Sequence, residues 1–231
     1  MIANILFVLL LIAGVGLFTK KIRSVIRNIK LGQDLNLSDR PMERLQTMIR
    51  VALGQSKMGS RPVAAFFHVI LYVGFIIINI EVIEIIIDGV FGTHRVLSFL
   101  GGFYNFLIGS FEYLAFLVLI ACFVFLSRRN ILKLKRFHMK EMTKWPKSDA
   151  NIILITEIFL MSAFLIMNAC DFQLQTLQAE HYFKGEIVGA FPISSALISF
   201  LPSEVSTLEF IERFCWWFHI IGILAFLNYV P

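Results

Sequence analysis

The stretch FFHVILYVGFIIINIEVIEII, Phe66 to Ile86, has the look of a membrane span, yet it carries a histidine near its start and two glutamates near its end. A hydrocarbon core ~30 Å thick needs about 20 apolar helical residues, and this run supplies them. Ionisable groups in such a place are costly and need a reason. His68, Glu81 and Glu84 are the residues whose purpose has to be found.

The rest of the chain is of the same kind. Hydrophobic residues make up 58% of its 231 residues, against ~45–50% in a soluble domain. Nearly uncharged runs of spanning length occur at Ile2 to Phe18, Val63 to Ile87, Phe103 to Leu126, Ile152 to Ala169 and Leu208 to Tyr229. A span without water must satisfy its backbone internally, so each is expected to be helical. The expected fold is all-α: an integral membrane bundle of five transmembrane helices forming one domain over residues 1–231. The first run is followed by KKIRSVIRNIK rather than a small-residue cleavage site, which favours a retained anchor over a signal peptide. The last run stops at Pro231 with no polar tail, as expected of the N-terminal part of a longer protein.

Charge orients the spans. Ten of the 21 Lys and Arg residues lie between the first two spans, from Lys20 to Arg61, and eight between the third and fourth, from Arg128 to Lys147. Only Arg95, Lys184 and Arg213 remain. The positive-inside rule makes the two basic loops cytoplasmic, places the N-terminus outside and leaves the C-terminus in the cytoplasm. The net charge of +5 is then a topological signal and calls for no nucleic acid. Within the first loop, MERLQTMIRVAL (Met42 to Leu53) has the spacing of a basic helix lying on the membrane or under a docked partner. Outside, Cys170 to Glu204 is a long connection containing AFPISSALISFL, whose twelve residues suit an interfacial or re-entrant segment.

Three cysteines without a C-x-x-C pair exclude an iron–sulfur site of the cysteine-ligated type within this chain. No glycine-rich phosphate loop and no H-E-x-x-H motif occurs. His138 sits among basic residues and reads as solvated, and His94 and His181 fall in outer loops. His68 and His219 are different, because both lie inside spans. Neutral imidazoles on facing helices can hold a b-type haem between them. On upright helices, however, His68 lies nearer the cytoplasm than His219 by ~7–8 Å, so the two do not share one level. Glu81, Glu84 and Asp88 form an i, i+3, i+7 row on the face of their helix opposite His68. With Glu112 and Glu212 they belong to the outer third. Their functional reading is proton handling beside a quinol-oxidising pocket; their plain structural reading is an outer rim where helix ends meet water and Arg95 or Arg213. Glu157 stands alone on the inner half of the fourth span.

Together these features resemble the gamma subunit of respiratory nitrate reductase and the related cytochrome b subunits of heterodisulfide reductase. The resemblance is closer to the membrane half of bacterial (Fe–S)-binding oxidoreductases, in which such a domain is fused to a heterodisulfide-reductase-type module. It rests on GQSKMGSRP leading into FFHVILYVGF, on SRRN followed by KWPKSDANIILITEIFLMSAFLIMNA, and on WWFHIIGILAFLNYVP. It implies two histidines on the second span and two on the last, binding two b haems, with menaquinol or another quinone oxidised near the outer one. His68 matches the first histidine and His219 the third; Ile78 stands where the second is expected, and the fourth would fall past Pro231. The implied cofactors are haem b in this chain and 4Fe–4S clusters in a fused or partner cytoplasmic module. The implied location is the bacterial inner membrane. A membrane domain passing electrons between a quinol pool and that module is the leading expectation. A non-redox anchor with a degenerate cytochrome fold is the alternative, favoured by Ile78, while a transporter is disfavoured by the lack of repeated halves.

Overall fold

The computed structural model describes residues 2–33, 35, 38–132, 134–137, 139–140, 145–182 and 185–230. His138, Lys133, Lys144 and Lys184 lie outside the described residues. Among the described residues there is no strand. Five helices are long and apolar enough to cross a membrane: α1 (Ile2–Ile29), α3 (Pro62–Phe91), α4 (Gly102–Leu126), α5 (Trp145–Thr176) and α6 (Val205–Tyr229). A short α2 (Pro41–Met48) falls where the basic surface helix is expected and buries none of its residues.

The apolar runs find the helices but underestimate them. α1 continues eleven residues past Phe18 through KKIRSVIRNI, because charge ends a membrane span and not a helix; Lys, Arg and Ile all tolerate helical backbone. α5 likewise begins at Trp145 rather than Ile152 and runs to Thr176 rather than Ala169. Asp171 and Gln175, expected in a connection, are therefore helical. α3 is bounded by Pro62 in its first turn and by Gly92, whose φ of 72° lets its N–H turn back to the Asp88 carbonyl.

Successive helices pack side by side, α3 on α4, α4 on α5 and α5 on α6, and α1 lies against both α6 and α3 so that the five close into a ring. Phe164, Ile108, Ala115, Val118 and Ile220 fill its interior. Phe66, Phe106, Phe123, Phe210 and Phe214 point outward and are exposed, an arrangement that suits a hydrocarbon solvent. Small residues set the closest approaches. A Cβ on Gly74 would stand 2.7 Å from Val118, one on Gly222 2.5 Å from Leu160, and one on Gly89 2.6 Å from the Phe7 ring.

The twelve-residue segment Ala190 to Leu201 is drawn into the bundle. It contains a 3-10 run at Ser194–Phe200, and its Phe191 is buried and stacked on Phe172 at 5.2 Å. The Ser194 hydroxyl donates to the Leu165 carbonyl at 2.9 Å. Leu165 lies eleven residues before the end of α5, about 16 Å along the helix, so the segment dips well below the helix ends.

Candidate functional site

Glu81 and Glu84 of the acidic row on α3 are buried rather than set on a rim, while Asp88 at its end is half-buried. Glu81 and Glu84 are each 4% exposed, Glu112 is 0% and Glu212 is 3%. The expectation that these groups meet water at the helix ends is corrected by the two connections at that end. Residues 92–101, 177–182 and 185–204 fold back over the bundle and supply hydrogen-bond donors to Glu84, Glu112 and Glu212.

Arg95 is the centre of this cap. Its guanidinium binds Asp171 through Nε, donates to the Tyr104 hydroxyl at 3.0 Å and to the Asn168 side chain at 3.0 Å, and lies over the Phe191 ring at 5.0 Å. Burial opposes its charge most strongly, but the Asp171 carboxylate together with Tyr104 and Glu81 outweighs burial and holds its pKa well above the ordinary value. Arg95 adopts a left-handed backbone (φ 49°), uncommon outside glycine. Asp88 stabilises that turn by accepting from the Arg95 and Val96 N–H groups at 2.7 and 3.2 Å and from the Thr93 hydroxyl. Glu84 accepts from the Tyr104 hydroxyl at 2.8 Å and from the Leu97 N–H at 2.9 Å. Glu212 accepts from Tyr182 at 2.9 Å and pairs with Arg213 at 2.7 Å. Burial, then the Glu212 carboxylate, raises the Tyr182 phenol above its usual range.

Glu112 serves elsewhere. Its Oε2 accepts from the Ile193 and Ser194 N–H groups at 2.9 and 3.1 Å and its Oε1 from Asn168 at 3.3 Å, which anchors the re-entrant segment. Glu81 alone of the four retains a buried carboxylate oxygen, Oε2, with no hydrogen-bond partner among the described residues. It lines a cavity of about 310 Å³ between α1, α3 and α6, together with Glu84, Arg95, Glu212, Trp216 and Trp217. His94 and the exposed His181 also border it. The structure thus gathers Glu81, Glu84 and Glu212 into one cavity and leaves Glu112 outside it.

Sequence reasoning missed Asp171, Asn168 and Tyr104 as partners of Arg95. A signal was present: Asn168, Asp171 and Gln175 lie at i, i+3, i+7, a polar stripe that begins within the expected span and runs on into the segment read as a connection. The aromatic wall from Phe7, Trp216 and Trp217 was missed too, because it depends on α1 packing against α6; the Phe7 ring lies 5.2 Å from Trp216 and 6.1 Å from Trp217.

The two intramembrane histidines are not brought together. His219 is 2% exposed, and its Nδ1 is 3.0 Å from the Leu160 carbonyl. It borders a second cavity of about 240 Å³ whose α3 wall is Phe75, Ile78, Asn79 and Val82. His68 borders neither cavity and keeps a buried Nδ1 without a partner among the described residues. It precedes Ile78 by ten residues, about 15 Å along α3. A haem held by His68 and His219 therefore does not fit, and the wall facing His219 offers Ile78 where a ligand would stand. The cavity is also smaller than the ~300–1,000 Å³ of drug-sized ligand sites, and a porphyrin needs more room than those ligands do. Among the described residues, no three His, Cys, Asp or Glu side chains group as a metal site.

No family model matches the chain, and no solved structure matches it. Two curated relatives do. The "Probable iron-sulfur-binding oxidoreductase FadF" of Bacillus subtilis (strain 168) is 32% identical over 100% of this chain, which covers 31% of that protein. The "EtfAB:quinone oxidoreductase" of Syntrophomonas wolfei subsp. wolfei is 24% identical over 86% of this chain, which covers 27% of that protein. Neither is named as a nitrate reductase gamma subunit or a cytochrome b. The chain spans less than a third of the length of these relatives, and over that stretch it is an all-helical, membrane-type module similar to part of two redox proteins.

Proposed function

We propose that the chain is the membrane module of a quinone-linked iron–sulfur oxidoreductase of the bacterial inner membrane. A quinol ring binds in the Glu81 cavity, and its electrons go to iron–sulfur clusters carried by a cytoplasmic module by way of a redox carrier, haem or flavin in class, supplied from outside this chain. The observation that supports this most is the unpartnered Glu81 oxygen in a cavity that also offers aromatic faces. A buried carboxyl oxygen without a partner is costly, and a ligand hydroxyl is one group able to satisfy it. The names of the two relatives, one iron–sulfur and one quinone, fit the same pair of reactants.

In this reading each quinol loses two electrons and two protons. Trp216, Trp217 and Phe7 hold the ring, Glu81 Oε2 accepts a hydroxyl proton, and that proton leaves past His181 at the mouth before the second is taken. The Arg95–Asp171 pair fixes the charge beneath the site so that it does not change during the transfer. Iron–sulfur clusters of the cytoplasmic module would be the acceptors, and the three cysteines of this chain form no C-x-x-C motif. The basic loops face the cytoplasm in this proposal, and the cavity opens on the outer side.

Glu81→Gln keeps the shape and removes the proton acceptor. Anaerobic oxidation of menadiol by the full-length protein, followed through reduction of its iron–sulfur clusters, should slow by about a hundred-fold. An unchanged rate sinks the proposal. The anchor reading, which Ile78 opposite His219 favours, expects no quinol-driven cluster reduction in the native protein either. For orientation, a cysteine at Lys135 should react with an impermeant maleimide only in inside-out vesicles and one at Glu186 only in intact cells; the reverse pattern inverts the topology.

A further inference from the structure

The cavity behind His219 carries chemistry of its own. Its walls come from α1, α3, α5 and α6, with Phe18, Phe75, Ile78, Val82, Met161 and Phe226 making most of the surface apolar. Three polar side chains border it: Asn79, Glu157 and His219. The Asn79 amide is taken up by the Phe75 carbonyl of its own helix. His219 is different, because its hydrogen bond fixes its tautomer. A backbone carbonyl only accepts, so the contact at 3.0 Å between Nδ1 and the Leu160 oxygen places the ring proton on Nδ1. Nε2 then presents a lone pair, and it has no partner among the described residues.

The fold holds that tautomer. Gly222 lies one turn beyond His219, and a Cβ there would stand 2.5 Å from Leu160 Cδ2. Glycine is what brings α6 close enough to α5 for the Leu160 carbonyl to reach the imidazole. An acceptor nitrogen in an apolar cavity selects for a ligand that donates a hydrogen bond. Placed against His219, a ring carbonyl brings a second acceptor to the lone pair and leaves both unsatisfied. Charged ligands are excluded by the cost of desolvation. The volume of about 240 Å³ suits a small fused ring rather than a macrocycle.

We propose that this cavity is a second ring site, specific for the reduced, hydroxyl-bearing form of a hydroquinone-type lipid, which donates its O–H to His219 Nε2. It is distinct from the Glu81 cavity, and it involves binding with no electron transfer. The site goes beyond the proposed function and stands even if no quinol is oxidised at Glu81.

The test is site-resolved photolabelling of the full-length protein in lipid nanodiscs under anaerobic conditions. The probe is a diazirine-bearing naphthohydroquinone, and crosslinks are mapped by mass spectrometry. Labelling is expected at Phe75 to Val82 and Ile223 to Leu227. Menadiol should compete at those peptides at least about ten-fold better than its dimethyl ether, which has the same ring without the O–H, and better than oxidised menadione. His219→Phe should abolish that preference and His219→Gln, which restores an acceptor oxygen, should recover part of it. Glu81→Gln should leave labelling here unchanged, which separates failure at this site from failure at the other. Equal competition by menadiol and its ether in the native protein overturns the proposal whether or not any variant folds. So does a b-type absorption band in the native protein that His219→Phe removes, since iron would then occupy Nε2.

Discussion

Arg95→Met is the sharpest test of the polar cap. The substitution keeps the unbranched apolar stem of the side chain and removes the guanidinium with its charge. It strands the Asp171 carboxylate, 2% exposed, with His94 Nε2 at 3.3 Å and the Gln175 amide at 3.3 Å as its remaining polar neighbours. It also withdraws the donors held by Tyr104 and Asn168. Breaking one side of a buried pair costs about 3–5 kcal/mol, because the surviving charge stays buried and uncompensated. Asp171→Leu should cost a similar amount by stranding the guanidinium. The double variant removes both charges, and well-packed apolar replacements of a buried pair are near neutral. The two singles should therefore be non-additive, with a coupling of at least about 2 kcal/mol. Unfolding in mixed detergent micelles, followed by the fluorescence of Trp216 and Trp217 beside the same cavity, measures all four corners of the cycle. Raised salt should leave the coupling nearly intact, since side chains 8% and 3% exposed are little screened. Additive singles, or a native-like Arg95→Met, would show that the pair is solvated and that the cap is not closed.

Glu112→Ala removes the acceptor for two backbone N–H groups and should destabilise the chain by about 2 kcal/mol or more. Hydrogen exchange should rise first at residues 190–201, and Glu112→Gln, which keeps one oxygen, should be milder. Gly89→Ala drives a Cβ into three Phe7 ring atoms at 2.6–2.7 Å, an overpacking cost of about 1–3 kcal/mol that Phe7→Leu should partly relieve in a thermal melt. The Tyr182 phenol titrates above its ordinary value of 10.0, so the stability it adds is complete below pH 10.0 and is lost as pH rises through its higher folded value. Relative to Tyr182→Phe, the native chain should lose stability on the alkaline side in a pH series of melts.

The spans were legible because the bilayer imposes one rule: apolar length. That rule measures thickness, so it found the core of each helix and stopped short at Phe18 and at Ala169, where the backbone went on. The row of Glu81, Glu84 and Asp88 was legible from periodicity alone, and so was its separation from His68. Its environment was not. Whether a carboxylate at a helix end meets water or protein depends on where the connections fold, and nothing local to Glu84 announces that Leu97 and Tyr104 will bind it. The difference in level between His68 and His219 was legible by counting residues along two helices; His219 lines one cavity with Phe75 and Asn79, and His68 does not border it. The Leu160 carbonyl that fixes the His219 tautomer belongs to a third helix, fifty-nine positions away, and left no trace in the pattern.

The place of α1 in the ring has a consequence for biogenesis. Its neighbours are α3 and α6, and its contacts include the Asn228 amide on the Gly14 carbonyl, 214 positions apart in sequence. Chains are made from the N-terminus, so α1 enters the bilayer before the other four helices of the ring and must wait there for the one that will hold it. Until α6 arrives, the acids of α3 lack the wall that shields them from lipid. The translocation machinery therefore handles a half-built intermediate with acidic side chains facing hydrocarbon, and truncations before α6 should be prime substrates for membrane quality-control proteases.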